Sequence, residues 1–275
     1  MKRKFLLIIW VLAFISIPVA AGDEVKTSRV NFDKEQPGGS SSVLVDFPLG
    51  VNQPVRRAII DFILERCKSL NKVEDVVFPS NTCNEVTFGK FLEEYTAAVS
   101  RNCAVDQHDY AVYMEDESYE VTWFSNLSIQ KVADTDQYVS YAAYHGEFIG
   151  GAHDARGSEA VTIRKADGAR IDSLFEDGVA EKMQHLLWKY LIASENPDDS
   201  AAYRDEINQF LEANYGIRDY LHLPYGSCYL APDGVHILYQ PLEICFWPGE
   251  PEIVIPPKEA MPFLTKKARQ LLFDQ

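Results

Sequence analysis

Apolar positions in this chain recur at helical spacing in some stretches and alternate with polar ones in others. The switches between the two periods mark its elements. Val55, Ala58, Ile59, Phe62, Ile63 and Cys67 recur every three or four residues and make one apolar helix face. Asn52 ahead of them suits a cap and Pro54 the first turn. A second helix is predicted over 85–100, with Val86, Leu92, Tyr95 and Val99 inward. Upstream, Val43-Leu44-Val45-Asp46-Phe47 reads as a strand, and Gly38-Gly39-Ser40-Ser41-Ser42 before it as part of a flexible leader.

From Asp109 to Tyr144 the period becomes two. Strands are predicted at Tyr110–Met114, Tyr119–Phe124, Leu127–Val132 and Tyr138–Tyr144. Asp116-Glu117-Ser118, Ser125-Asn126 and Asp134-Thr135-Asp136 supply the turns. Val161–Arg164 adds a strand closed by Asp167-Gly168, a strong hairpin signal. Helices return over 178–193 and 201–214, separated by Asn196-Pro197-Asp198-Asp199-Ser200. Ser227–Leu230 and Val235–Tyr239 form a hairpin around Pro232-Asp233-Gly234, and a two-residue Asp-Gly turn there would set Cys228 opposite Tyr239. Glu252–Ile255 is a strand, and one helix from Lys258 to Phe273 closes the chain. Segregated rather than alternating elements predict an α+β fold with antiparallel sheets. Two closely packed subdomains are expected, 43–108 and 109–275.

Composition changes the picture mainly at the N-terminus. Lys2, Arg3 and Lys4 precede an apolar run from Phe5 to Val19, and Ala20-Ala21-Gly22 follows. These are the three parts of a secretory signal, so 1–21 is expected to be an export signal and 22–42 a leader. Phe5 to Ala21 is short against the roughly 20 apolar residues of a spanning helix, with an uncleaved anchor as the alternative. No cysteine stands near the processing site to accept a lipid. The protein is thus expected in the periplasm or outside the cell, with no other membrane insertion. Apolar content of 47% with 24% charged residues indicates a folded globule. Loss of Lys2, Arg3 and Lys4, with no acid, takes the net charge from −15 to −18. So acidic a surface repels nucleic acid and favours cationic partners.

Five cysteines, Cys67, Cys83, Cys103, Cys228 and Cys245, leave at least one unpaired. Cys83 and Cys103 flank a helix roughly 30 Å long and cannot bond across it. Cys67–Cys83 is the candidate disulfide, because an antiparallel helix would begin beside Cys67.

The most unusual local sequence is Tyr144-His145-Gly146-Glu147-Phe148-Ile149-Gly150-Gly151-Ala152-His153-Asp154. Paired glycines admit positive φ, and successive N–H groups there suit an anion-binding nest or a plain structural turn. Tyr144, Gly150, Gly151, Ala152, His153 and Asp154 are the candidate binding residues. The histidine spacing matches no recognised zinc motif, so neither metal nor cofactor is expected. Nucleophile-elbow and phosphate-loop motifs are absent, and no catalytic residues are assigned.

Around Gly150-Gly151-Ala152-His153 the sequence resembles the RsiV-type extracytoplasmic domain. A tyrosine-bearing strand leads in, and Asp172-Ser173-Leu174-Phe175 follows after a strand and a glycine turn. The ending, with Leu242-Glu243-Ile244, Pro248-Gly249, Ile253-Val254-Ile255-Pro256 and a final helix, fits the same pattern. Val45-Asp46-Phe47-Pro48 and the next helix resemble the companion N-terminal domain of PdaC-type peptidoglycan deacetylases. The resemblance implies a two-part α+β sensing or binding module, which in RsiV-type anti-sigma factors binds lysozyme. The chain shows no cytoplasmic sigma-binding segment and no deacetylase domain, so those activities do not carry over. His153-Asp154 departs from the family's histidine and glycine. The function expected is therefore an exported, non-enzymatic module for a lysozyme-like cationic protein or a cell-wall glycan fragment. The alternative is an envelope polysaccharide or peptidoglycan hydrolase or deacetylase-like enzyme using His153 and a nearby carboxylate.

Overall fold

A computed structural model of the chain describes residues 24–70, 73–115, 120–151, 154–195, 197–245 and 250–273. The export segment, the Asp116-Glu117-Ser118 turn, Ala152, His153 and Pro248-Gly249 lie outside the described residues. The architecture is α+β, as the segregated elements require.

A six-stranded sheet forms the middle layer, with its strands in sequence order. β1 (Lys26–Gln36) and β2 (Gly39–Leu49) form a hairpin, with Gln36 opposite Gly39. This corrects the flexible leader over 22–42. Gly39 is small because α2 (Glu85–Tyr113) lies against it. A side chain at Gly39 would strike the Ser100 carbonyl, and Ser100 Oγ donates to the Gly39 carbonyl at 3.1 Å.

β2 pairs in parallel with β3 (Trp123–Asp134), and this crossover carries α1 (Gln53–Leu70) and α2 over one face. Asn52 caps α1 as expected, accepting from the Val55 N–H at 3.0 Å. The second helix runs past its predicted end and takes in Tyr110–Tyr113, which were expected to be strand. Nothing in 101–113 breaks a helix. Cys103 and Gln107 continue the buried stripe of Phe88, Leu92, Tyr95 and Val99, whereas the alternation at 110–114 is a short run that either period fits. Val86 faces outward, and Phe88 and Phe91 fill the core in its place. Ser125 and Asn126 are not a turn but part of β3. Asn126 Oδ1 accepts from the Ser42 N–H at 3.1 Å, so it works across the ladder.

β4 (Tyr138–Phe148), β5 (Ala155–Arg164) and the short β6 (Arg170–Ile171) complete the sheet, all antiparallel. Successive side chains of β4 serve different cores. Val139, Tyr141 and Ala143 join the α1–α2 core, while Tyr138 joins a second one. That second core is built from α3 (Ala180–Glu195), α4 (Ser200–Tyr215) and a three-stranded sheet of β7 (Cys228–Ala231), β8 (Gly234–Leu238) and β9 (Glu252–Ile255). Asp199 caps α4, its carboxylate accepting from Ala201 and Ala202. The expected boundary at 108/109 falls inside α2.

The β7–β8 register differs from expectation by one turn position. Ala231 pairs with Gly234 and Cys228 with Ile237, so the turn residues are Pro232 and Asp233. Proline has no N–H for the ladder and takes the corner instead. The closing helix is broken. α5 (Pro257–Ala260) and one 3₁₀ turn (Met261–Phe263) precede α6 (Lys266–Phe273), and Leu264 between them is extended and bridged to Phe175. Pro262 interrupts the hydrogen bonds that a continuous helix needs. No helix among the described residues is long and apolar enough to cross a membrane.

Candidate functional site

The glycine-rich loop joins β4 to β5, and its two halves do different work. Gly150 and Gly151 have φ of 93° and 101°. A Cβ at Gly150 would stand 2.8 Å from the Trp123 indole, which is buried and packs on Tyr110 of α2 at 5.5 Å. This half of the loop therefore seats a tryptophan. Both φ values lie in the region that favours glycine. Ala152 and His153 lie outside the described residues. Asp154 resumes the chain, and its carboxylate accepts from Arg156 Nε at 2.6 Å.

Tyr144 and Asp154 lead to a polar group assembled from both sheets. Tyr144 sits on the face of β4 turned to the second core. Its hydroxyl pKa is raised by burial and by the charges of Glu252 and Glu250. Tyr229 of β7 donates to Glu252 Oε1 at 3.0 Å. His236 of β8 meets that same oxygen through Nδ1 at 2.6 Å and Asp233 Oδ1 through Nε2 at 2.9 Å. Ionised carboxylates only accept, so both bonds are made together when the ring is protonated to an imidazolium. Burial opposes that charge, yet the hydrogen bonds to Glu252 and Asp233 raise the His236 pKa. The same bonds hold Glu252 and Asp233 below the usual carboxylate values. The imidazolium also stacks on Tyr229, with centroids 4.5 Å apart. Beside this group, burial raises the Glu250 carboxyl, with Arg156 opposing and Asp154 adding to the rise.

Two of the predicted residues thus converge on the site, and the glycines do not. The sequence does not single out Tyr229, Asp233, His236 and Glu250 as site residues, and it offers Glu252 only as a carboxylate in a strand. Their only signal was weak: a carboxylate in a strand, and a histidine three residues after an aspartate. Both nitrogens of His236 are engaged by carboxylates. No group of three or more histidine, cysteine or acidic side chains among the described residues is placed to hold a metal ion.

All five cysteines are thiols, so the expected Cys67–Cys83 bond is not formed. Cys67 faces the core from α1, where burial pushes its pKa to about 12. Cys83 stands in the loop before α2, its carbonyl accepting from Arg56 at 2.5 Å. Cys228 is likewise pushed to about 12 by burial and by Glu243, so it offers no thiolate nucleophile.

A separate cleft of about 530 Å³ opens where the C-terminal end of α1 meets β5, β6 and the loop before β7. No described residue of the glycine loop lines it. Arg66 is ion-paired with Glu159, and Arg170 Nη1 lies 2.9 and 2.7 Å from the two Glu65 oxygens. Both guanidiniums lie against the Phe62 ring, at 5.7 and 5.8 Å. His222 enters the cleft with Nε2 fixed 2.6 Å from Glu243 Oε1. Glu243 also accepts from the Gln240 N–H at 2.6 Å, and the Gln240 side chain ties Ser158 of β5 to Ser227.

No protein-family model matches this chain, and no curated protein matches it in sequence. The fold is similar to solved structures of the DUF3298 family. A member from Bacteroides fragilis aligns with a TM-score of 0.64 at 16% identity, over 93% of this chain and 99% of its own. A second, from Pseudomonas aeruginosa, aligns with a TM-score of 0.52 at 18% identity, over 90% and 98%. At such identities the likeness is one of fold.

Proposed function

We propose that this chain is an exported, non-enzymatic binding module whose partner is a cationic protein surface of the lysozyme kind. The observation that carries the reading is the charge around Tyr144 and Tyr229. Among the described residues, Asp154, Asp233, Glu250 and Glu252 gather there against Arg156 and His236. The chain as a whole has 41 acidic against 26 basic residues, which extends the same sign beyond the site. Complementary charge of this kind speeds encounter and selects the partner. The resemblance to RsiV-type domains adds lysozyme as the first partner to try, and the segment over 1–21 adds export. The hydrolase reading rests on His153, which lies outside the described residues, and on a carboxylate near it.

Calorimetric titration with lysozyme at low and moderate salt tests the proposal. Binding is expected at low salt and should weaken as salt screens the charges. Glu250→Gln combined with Asp154→Asn should lower affinity about tenfold. Absence of heat with lysozyme and with other basic wall-directed proteins would overturn the reading.

A further inference from the structure

We propose that the cleft between α1, β5–β6 and the loop before β7 binds a short, uncharged oligosaccharide. It shares no residue with the acidic group around Tyr144, and its volume of about 530 Å³ falls within the range of small-molecule sites.

The first argument is the aromatic rim. Tyr225 lines the mouth of the cleft and is 93% exposed, although it stands between a buried proline and a pinned glycine. The Gly226 carbonyl accepts from the Ala160 N–H of β5 at 2.9 Å, so the loop is tied to the sheet beside the ring. A large apolar ring left in water on an anchored loop offers a flat face to a ligand. The C–H face of a pyranose ring fits such a platform, and Tyr220 lies on the same wall.

The second argument is the sign of the polar groups. Arg66 and Arg170 line the cleft, each oriented by a carboxylate. Asp172, Glu176 and Asp177 line the same cleft, exposed in the loop after β6. An anionic ligand entering here would meet the acids, and a cationic one would meet the arginines. A hydroxyl group both donates and accepts, so a neutral polyhydroxylated ligand uses both sets without a charge penalty. The planar guanidinium fork also spans neighbouring oxygens, which a row of sugar hydroxyls supplies.

The third argument is pre-organisation. Glu243 holds His222, and Gln240 fastens β5 to the strand that follows the loop. Side chains fixed before binding lose little entropy on binding, which a weakly held neutral ligand requires.

The test is calorimetry and amide chemical-shift mapping on the whole chain with three trisaccharide probes. These are uncharged tri-N-acetylchitotriose, cationic triglucosamine and anionic trigalacturonate. Saturable binding of the uncharged probe is expected, with shifts confined to the cleft. Tyr225→Ala should weaken it about tenfold, the loss of one aromatic platform. Arg170→Gln should weaken it as well, with melting curves of both variants checking that the fold is kept. Glu250→Gln should leave saccharide affinity unchanged, which separates this site from the cationic-protein site. The proposal is overturned if uncharged and charged probes alike fail to saturate. Selection of a charged probe, or unchanged affinity in both cleft variants, would overturn it too.

Discussion

A methyl group at position 150 has no room. It would stand 2.8 Å from the Trp123 indole, at a φ of 93° that side chains rarely adopt. Gly150→Ala should therefore destabilise the fold by about 1–3 kcal/mol, read from urea unfolding, through both strain and overpacking. Gly151 has the same sign of φ but open space around it, so steric crowding is confined to the first glycine. The pair was legible in the sequence as a special backbone position. Its neighbour was not, because Trp123 lies 27 residues away and reaches the loop only through the β3–β4 pairing. The thiols give the same lesson. Cysteine count and helix order leave Cys67–Cys83 as a candidate, yet Cys67 points into the core, and the Tyr95 hydroxyl occupies its carbonyl at 2.9 Å.

Among the elements, the β7–β9 sheet carries its own electrostatic clamp. His236 is held as an imidazolium between carboxylates from the β7–β8 turn and from β9. Its pKa lies above the ordinary 6.5, so its stabilisation is full below that value and fades as pH rises through the raised one. Glu252 and Asp233 lie below their ordinary 4.5 and 3.8, so their share is full above those values and fades as pH falls through the depressed ones. The advantage of the wild type over His236→Gln should peak between pH 4.5 and 6.5. About 1.5–3 kcal/mol is expected there, the worth of hydrogen bonds to charged groups. Melting temperatures of both proteins across pH check it, and a flat difference would show that the ring carries no proton of its own. Tyr144, Tyr229 and Glu250 face the same cluster, so a second titration from Glu250 is expected on the acid side. The clamp escaped the sequence reading because two of its members belong to a strand 16 residues further on and a turn whose register was misplaced.

Across the whole molecule, one sheet serves two cores. The α1–α2 core takes alternate residues of β3, β4 and β5, and the second core takes others from the same strands. β2 is the parallel neighbour of β3, so the N-terminal segment is sewn into the sheet along its length. A fragment over 109–273 should therefore lack a cooperative melting transition by circular dichroism, whereas the whole chain should show one. Removing β1, β2, α1 and most of α2 would expose one face of the sheet and an unpaired edge at β3. A cooperative transition in the fragment would show that the second core stands alone.

By itself the sequence determined what is locally encoded. Asn52 as a cap, the Asp134–Asp136 and Asp167-Gly168 turns, and the helical face of α1 depend on residues three or four positions apart. The acidic balance was equally plain, since charge sums without regard to position. Tertiary structure alone decided which strands are neighbours, and hence that β1 exists and that α2 runs on to Tyr113. It also decided that Tyr144 comes near Glu250 and Glu252, that Asp154 comes near Glu250, and that Arg66, Arg170 and Tyr225 line one cleft. Those meetings follow from burying both faces of one sheet. Burial joins segments by surface complementarity over long stretches of chain, and no local spacing records it.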